Sequence, residues 1–198
     1  MKAVIFDLGR VLVHYNHQAT LAAVADISQV SVPELHELMM EVDHDLGLGN
    51  LDAVDLHEFL VERAGANPDL DAFLHAYAAG IQRDDAALAY AVELQAREGL
   101  TIGVISNTNA AHVLWLDEYV PELKELDVVM MSNEVGLTKP DPAIFLLMLE
   151  LLAVEPTQAI FIDDIEINTH AAATLGIHTL VHTDWAITRP SLEAWLAA

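Results

Sequence analysis

Five short runs of apolar residues constrain the fold of this chain more than any other feature. They are AVIFDL near residue 3, TIGVIS near residue 101, DVVMMS near residue 127, AIFID near residue 159 and IHTLVH near residue 177. Apart from their ends, the runs are almost continuously apolar, as expected of strands that are covered on both faces. Strands of this kind occur in parallel sheets, so the runs predict a parallel sheet with helices on both sides.

Segments with helical patterns lie between these runs. They are DDAALAYAVELQAREG, which ends at Gly99, DPAIFLLMLELLAV, which has Pro142 in its first turn, and NTHAAATLG, which ends at Gly176. Strands that alternate with helices form right-handed crossover connections. We therefore predict an α/β fold with a doubly wound parallel sheet.

One region, from about Tyr15 to Arg83, breaks this alternation, because no strand in it is convincing. Its helical patterns are SVPELHELMMEV from Ser31, LDAVDLHEFLVERAG from Leu51 to Gly65, and NPDLDAFLHAYAAG from Asn67 to Gly80. An insert after the first strand lies beside the carboxyl ends of the strands, where ligands bind in open α/β sheets. The sequence thus predicts a core domain of residues 1–14 and 84–198, and a small helical cap domain of residues 15–83.

The composition limits the partners of the chain. Its formal net charge is −23 over 198 residues, and such a field repels nucleic acid and anionic membranes. No apolar run approaches the length of a membrane-spanning helix, and the N-terminus is a poor signal peptide, so we expect a cytoplasmic protein. The absence of cysteine excludes disulfides and thiolate chemistry. The apolar helices permit a homodimer without requiring one.

Four groups of polar residues stand at strand ends or in the loops that follow. Any one of them alone suits a turn or a helix cap. Because the carboxyl ends of parallel strands face the same edge of a sheet, four groups in this order indicate a shared site. The groups are Asp7 with Gly9 and Arg10, Ser106 to Asn109, Lys139 ahead of a helix, and Asp163 with Asp164 and Asn168.

These stretches resemble the motifs of the haloacid dehalogenase-like (HAD) hydrolase superfamily, and the resemblance covers nearly the whole chain. VIFDLGRVLV matches the first motif, VISNTN the second, LTKPDPAIF the third and FIDDIEINTHAAATLG the fourth. The helical insert matches the position of the small cap in that superfamily's first class. By pattern the chain is similar to sugar-phosphate phosphatases that also carry D-L-G. The motifs specify the superfamily strongly and the substrate only weakly.

The resemblance implies a Mg²⁺-dependent phosphatase that acts on a small phosphorylated metabolite. Asp7 would attack phosphorus and form an aspartyl-phosphate. Mg²⁺ would be held by the side chain of Asp7, the backbone carbonyl of Gly9 and the side chain of Asp164. Lys139 would neutralise the nucleophile and the phosphate.

The remaining residues receive supporting roles from the same resemblance. Ser106 and the backbone N–H of Asn107 would hold a phosphoryl oxygen. Asp163 would hold Lys139 or a metal-bound water, and Asn168 would support the loop. Arg10 takes no role from the resemblance; from its position beside the nucleophile it would either contact the substrate or pair with a cap carboxylate.

Gly9 departs from the family pattern, in which the residue two after the nucleophile is usually a second Asp that acts as acid and then as base. Gly9 still offers its carbonyl to a metal, but the acid/base group is absent, and such groups contribute roughly 10²–10⁴-fold. Three outcomes are open. The leaving group needs little protonation, as in a sugar 1-phosphate or an acyl phosphate; another group such as His14 substitutes; or the protein is slow or inactive.

Two other classes of function also stay open. One is a non-catalytic binding or regulatory protein that has kept the phosphate pocket. The other is a HAD hydrolase of a non-phosphate substrate such as a haloacid. Dehalogenating members of the superfamily lack the metal carboxylates of the fourth motif, so Asp163 and Asp164 favour metal and phosphate. Members that cleave phosphonates use a cap lysine, and this chain has none between Tyr15 and Arg83.

Overall fold

A five-stranded parallel sheet forms the centre of the chain, of which the computed structural model describes residues 1–64 and 66–198. The strands in chain order are β1 (Lys2–Phe6), β2 (Val13–Tyr15), β3 (Ile81–Arg83), β4 (Leu100–Ser106), β5 (Val128–Met131), β6 (Ala159–Asp163) and β7 (His178–Val181). The order in the sheet is β5-β4-β1-β6-β7, and every neighbouring pair is parallel. The five predicted strands and the α/β class are confirmed.

Helices follow the strands and fill the insert. They are α1 (His17–Ser28), α2 (Val32–Leu48), α3 (Ala53–Ala64), α4 (Leu70–Tyr77), α5 (Asp85–Gln95), α6 (Ala110–Tyr119), α7 (Ser132–Val135), α8 (Pro142–Leu152), α9 (Glu166–Thr174) and α10 (Trp185–Ala197). Capping residues account for several starts: the Ser31 hydroxyl accepts a hydrogen bond from the Glu34 N–H at the start of α2. Within the described part of the chain, no helix is both long enough and apolar enough to cross a lipid bilayer.

Both faces of the central strand β1 are buried. Val4 and Phe6 point into one apolar core, and Ala3 and Ile5 point into a second core on the other side of the sheet. All four side chains are fully buried, which explains why the run shows no alternation with polar residues. Complete burial of a side chain such as Phe6 stabilises the fold by about 1.5–3 kcal/mol.

The helical insert packs around an apolar core of its own. Leu35 of α2, Leu56 and Leu60 of α3 and Phe73 of α4 are each at most 2% exposed and lie together in this core. The insert therefore has the buried apolar interior that a separate unit needs. The domain division at residues 14/15 and 83/84 stays a prediction.

A two-stranded antiparallel ribbon connects the sheet to the insert. In it β2 pairs with β3, with Val13 opposite Arg83 and Tyr15 opposite Ile81. The prediction that no strand lies between Tyr15 and Arg83 is therefore wrong at β3. A three-residue strand is too short to show a periodic pattern, and its partner lies far away in the sequence.

Two predicted helix ends also differ from the structure. Helix α4 ends at Tyr77 and not at Gly80. Gly80 instead lies against the backbone before α1, where a Cβ would come within 2.4 Å of the carbonyl oxygen of Asn16. Helix α5 ends at Gln95, and Gly99 follows it in a left-handed conformation with φ of +79°. The predicted helix end at Gly65 lies outside the described residues.

Candidate active site

The three central strands deliver polar residues to one edge of the sheet. Asp7 follows β1, Ser106 ends β4 and Asp163 ends β6, and these strands are neighbours in the order β4-β1-β6. A cavity of about 580 Å³ lies between this edge and the insert. Its lining includes most of the residues that the sequence analysis singles out: Asp7, Gly9, Arg10, Ser106, Asn107, Lys139, Asp164 and Asn168.

A buried ammonium group links two of the carboxylates. The Nζ of Lys139 lies 2.6 Å from Oδ1 of Asp7 and 2.8 Å from Oδ2 of Asp163, and the Lys139 side chain is only 2% exposed. Burial disfavours the charged ammonium, but the charges of Asp7 and Asp163 outweigh that cost and raise the pKa of Lys139 above its usual range. Lys139 is therefore a fixed positive charge at this edge of the sheet.

The environment of Asp7 disfavours its ionisation only in part. Burial raises the pKa of the Asp7 carboxyl to about 6; the Lys139 ammonium opposes the rise, and the charge of Asp163 adds to it. At neutral pH the group is still a carboxylate. A desolvated carboxylate with a raised pKa is a stronger nucleophile than one in water, so the environment suits Asp7 to attack an electrophile.

Asp163 is oriented from both sides. The Nδ2 of Asn168 lies 3.2 and 3.1 Å from its two oxygens, and the backbone N–H of Ile165 donates to Oδ1 at 2.8 Å. With the bond from Lys139, both oxygens of this fully buried carboxylate are hydrogen-bonded. Asp163 therefore holds Lys139 in position, and Asn168 holds Asp163.

Three carboxylates at this edge form a group that suits a divalent cation. One oxygen from each of Asp7, Asp163 and Asp164 can be chosen so that all three lie within 4.8 Å of one another. Hard cations such as Mg²⁺ prefer oxygen ligands of this kind. Because both oxygens of Asp163 are hydrogen-bonded, Asp7 and Asp164, which line the cavity, are the better donors. The residues present therefore fit a magnesium ion.

Arg10 forms an ion pair at the edge of the site. Its guanidinium lies 3.3 Å from Oδ2 of Asp164, and its side chain is 56% exposed. It therefore pairs with a carboxylate of the site and not with one of the insert. Arg10 also lines the cavity, and its contact with a substrate stays a prediction.

The loop after β4 is fastened to the loop that carries Lys139. The side-chain oxygen of Asn107 accepts a hydrogen bond from the Lys139 backbone N–H, and its amide nitrogen donates to the Lys139 carbonyl, both at 2.8 Å. Ser106 lies beside it on the cavity wall. The sequence analysis considered only the backbone of Asn107. An asparagine directly after a strand was the signal for such a clamp, but its partner could not be read from the sequence.

The structure does not bring His14 to the site. Its side chain is 65% exposed, and Nε2 lies 3.8 Å from a carboxylate oxygen of Asp84. Successive side chains of a strand point to opposite faces, so Val13 and Tyr15 line the cavity while His14 points away from it.

Helix α2 supplies the wall of the cavity opposite the sheet edge, which the sequence analysis did not identify. The residues on this wall include a set at the spacing of one helix face: His36, Met39, Met40, Asp43 and Gly47. That spacing was visible in the sequence. The surface that this helix face lies against could not be read from the sequence, because local periodicity does not show how the insert packs on the core.

Comparisons with known proteins agree with this geometry. The family model described as haloacid dehalogenase-like hydrolase matches residues 1–176. A D-ribitol-5-phosphate phosphatase of Bacteroides thetaiotaomicron is 25% identical over 209 residues, covering 99% of this chain and 98% of that protein. Acyl-CoA dehydrogenase family member 10 of Mus musculus is 43% identical over 84 residues, but the match covers only 42% of this chain and 8% of that protein.

Solved structures share the fold. A HAD family enzyme from Bacteroides thetaiotaomicron, in complex with magnesium and inorganic phosphate, superposes with a TM-score of 0.84 at 23% identity, covering 94% of this chain and 98% of the other. The five-stranded sheet with its helical insert is thus a known architecture. Since the family model spans the strands that carry all four polar groups, the chain belongs to the haloacid dehalogenase-like hydrolase family.

Proposed function

We propose that this hydrolase is a Mg²⁺-dependent phosphatase that cleaves a small phosphorylated metabolite through an aspartyl-phosphate on Asp7. The observation that carries the proposal is the placement of one ammonium, Lys139, between the carboxylates of Asp7 and Asp163, with Asp164 close by. Phosphoryl transfer asks a protein mainly for positioning and for neutralisation of charge, and this arrangement supplies both.

The first step is an attack by a carboxylate oxygen of Asp7 on phosphorus. The bond between phosphorus and the alcohol oxygen breaks, and an acyl phosphate forms on Asp7. Water then attacks that phosphorus, inorganic phosphate leaves and the Asp7 carboxylate is restored. Lys139, 2.6 Å from Asp7, supports both steps by offsetting the repulsion between a carboxylate and a phosphate dianion.

The residues that would hold Mg²⁺ are Asp7, the backbone carbonyl of Gly9 and Asp164. When bound, the ion would neutralise charge on the phosphoryl oxygens. Asp163 is assigned no direct bond to the ion, because its oxygens are hydrogen-bonded to Lys139, Asn168 and the Ile165 N–H.

The phosphoryl group itself would be bound by the loop after β4. The Ser106 hydroxyl and the Asn107 backbone N–H are the donors we assign to a phosphoryl oxygen, and Arg10 offers a further cation at the cavity wall. The net charge of −23 repels anionic substrates at long range, and these local cations would offset that repulsion inside the site.

A phosphate-release screen tests the proposal. Purified protein is incubated with phosphorylated metabolites and Mg²⁺, and D-ribitol 5-phosphate is included because a relative is named for its hydrolysis. We expect release of inorganic phosphate from at least one alkyl phosphate and none after addition of EDTA. Turnover that survives EDTA, or that is retained by Asp7→Asn, would contradict the proposal.

A second candidate function is favoured by Gly9, which removes the usual acid/base side chain. Under it the protein binds phosphate or a phosphorylated metabolite without turnover. Gly9→Asp separates the two candidates; a Cβ at Gly9 would have only Tyr15 Cβ, at 3.9 Å, as a neighbour outside the adjacent residues, which is an ordinary contact. A silent wild type that gains large activity from Gly9→Asp would favour the binding function. An active wild type would favour the phosphatase.

A further inference from the structure

The chain reverses direction directly after the nucleophile strand β1. The carbonyl of Leu8 accepts hydrogen bonds from the N–H groups of Val11, Leu12 and Val13 at 3.3, 2.9 and 3.0 Å. The Arg10 N–H donates to the Val13 carbonyl at 2.6 Å, and the backbone of Arg10 is left-handed with φ of +62°. This turn brings β2 back beside the residues that follow Asp7.

The reversal places Tyr15 next to the vacant side-chain position of Gly9. Gly9 and Val13 form a parallel β-bridge, and Tyr15 lies two residues further on the same face of β2. Apart from the residues adjacent in the chain, a Cβ built on Gly9 has Tyr15 within 4 Å, with the Tyr15 Cβ 3.9 Å away. Tyr15 therefore borders the space in which the family's second aspartate would stand.

The ring of Tyr15 is held in this position. It packs edge-on against His112, with ring centroids 5.5 Å apart, and β2 is fixed by its pairing with β3. The Tyr15 hydroxyl lies 3.3 Å from Nδ1 of His17, which also lines the cavity. The hydroxyl thus has a partner that can orient it, and Tyr15 and Asp7 face the same cavity.

The surroundings keep this hydroxyl protonated. Burial raises the pKa of the Tyr15 phenol; the nearby Thr20 hydroxyl and, less strongly, the charge of Arg10 oppose the rise, and the negative charge of Asp43 adds to it. A phenol that keeps its proton at neutral pH is a hydrogen-bond donor. It is also a stronger acid than the alcohol of an alkyl phosphate, so its proton can pass to an alkoxide.

We propose that Tyr15 is the group that protonates the leaving oxygen in place of the missing aspartate, an assignment that rests on the phosphatase function proposed above. As the bond from Asp7 to phosphorus forms and the ester P–O bond breaks, the phenolic proton passes to the departing oxygen and a neutral alcohol leaves. In the second step the phenolate takes a proton from the water that attacks the phosphorylated Asp7. Tyr15 and Asp7 both return to their starting states.

The test compares two leaving groups in Tyr15→Phe, which removes only the hydroxyl. The substrates are 4-nitrophenyl phosphate, whose leaving group is stable as an anion, and the alkyl phosphate that the wild type hydrolyses fastest in the screen above. We expect kcat for the alkyl phosphate to fall about 10²-fold or more, and kcat for 4-nitrophenyl phosphate to fall less than about tenfold. His14→Gln is the matched control, because His14 is the neighbour on the opposite face of β2, and it should leave both rates unchanged.

The possible results are distinct. An equal fall with both substrates, or no fall with either, would overturn the assignment to Tyr15 and leave the phosphatase function standing. A wild type that hydrolyses no alkyl phosphate would overturn both. Gly9→Asp in the Tyr15→Phe background gives an independent check. An aspartate in the adjoining space should restore alkyl phosphate hydrolysis if protonation is what was lost, and continued inactivity would count against Tyr15 as the donor.

Discussion

The Nζ of Lys139 lies 2.6 Å from Oδ1 of Asp7, and both side chains are at most 10% exposed. The same ammonium lies 2.8 Å from Asp163, so one buried cation compensates two buried carboxylates, and Asp164 adds a third at the edge of the group. This excess of negative charge is costly in a desolvated site. It explains why the group fits a divalent cation. It also means that the contribution of each charged residue can be measured with single substitutions.

Asp7→Asn should abolish catalysis without loss of stability. An amide is not a nucleophile at phosphorus, so we expect turnover to fall by at least about 10³-fold. Because burial raises the pKa of Asp7 to about 6, the charged form destabilises the folded protein as pH rises from about 4 towards 6. At pH 7.5 without metal, the free energy of unfolding of Asp7→Asn from urea denaturation should therefore equal or exceed that of the wild type.

The matched control for this change is Asp117→Asn. Asp117 pairs with Lys124 on the surface, where their side chains are 66% and 64% exposed. Its replacement should change neither activity nor stability measurably, since exposed ion pairs contribute about 0–1 kcal/mol. A large loss of stability in Asp7→Asn would show that the excess negative charge of the site does not destabilise the folded protein, contrary to our inference.

Lys139→Met should destabilise the fold as well as remove activity. The variant leaves Asp7 and Asp163 buried without their cation, and breaking a buried ion pair in this way costs about 3–5 kcal/mol. Urea denaturation at pH 7.5 in EDTA measures the effect, and Lys124→Met, which removes an exposed lysine, should cost less than about 1 kcal/mol. Equal stability of Lys139→Met and wild type would contradict the assignment of Lys139 as the compensating charge.

Mg²⁺ should stabilise the wild type through Asp164 and not merely by screening the surface. A ligand that binds only the folded state at 100 times its Kd adds about 2.7 kcal/mol of stability, so Tm should rise with Mg²⁺ concentration. With a net charge of −23, general screening by a divalent ion also raises Tm. Asp164→Asn should lose the saturable part of the rise while Asp117→Asn keeps it; identical titrations for all three proteins would exclude Asp164 as a ligand.

The sequence predicts well which residues meet at this edge of the sheet, because the topology does most of the positioning. A continuous buried run identifies β1, and Asp7 must then emerge at the edge of a parallel sheet, as Ser106 and Asp163 also do. No measurement of distance is needed to infer that such residues converge. The same logic fails where position depends on non-local pairing.

The choice between His14 and Tyr15 shows that failure. Both residues lie just beyond the nucleophile strand, and the sequence analysis named His14, because histidine is a common acid/base residue. The register of β2 against β3, sixty-eight residues later, decides which of the two faces the cavity. Strand β3 has no sequence signature, so the face could not be assigned before the structure. The wall formed by α2 escaped prediction for the same reason.

Protonation of His112 should contribute to the pH dependence of the free energy of unfolding. Burial lowers the pKa of this imidazole to about 4, below its value of 6.5 in the unfolded chain. The unfolded state therefore binds the proton more readily, so the stabilisation is fully present above about pH 6.5 and is lost as pH falls towards 4. A shift of this size corresponds to about 3 kcal/mol.

His112→Phe isolates this contribution, because a phenyl ring can keep the packing against Tyr15 and Tyr77 while it removes the titrating nitrogen atoms. At pH 7.5 we expect the free energies of unfolding of the variant and the wild type to agree within about 1.5 kcal/mol, as for other volume-conserving changes. At pH 4 the difference between the two should have shifted by about 3 kcal/mol in favour of the variant. Urea denaturation at four pH values between 7.5 and 4 measures the two curves, and His170→Phe, at an exposed position of α9, should run parallel to the wild type. Because other carboxylates titrate equally in all three proteins, only the difference between curves reports His112. If the His112→Phe curve also runs parallel to the wild type, this histidine is not held neutral by burial.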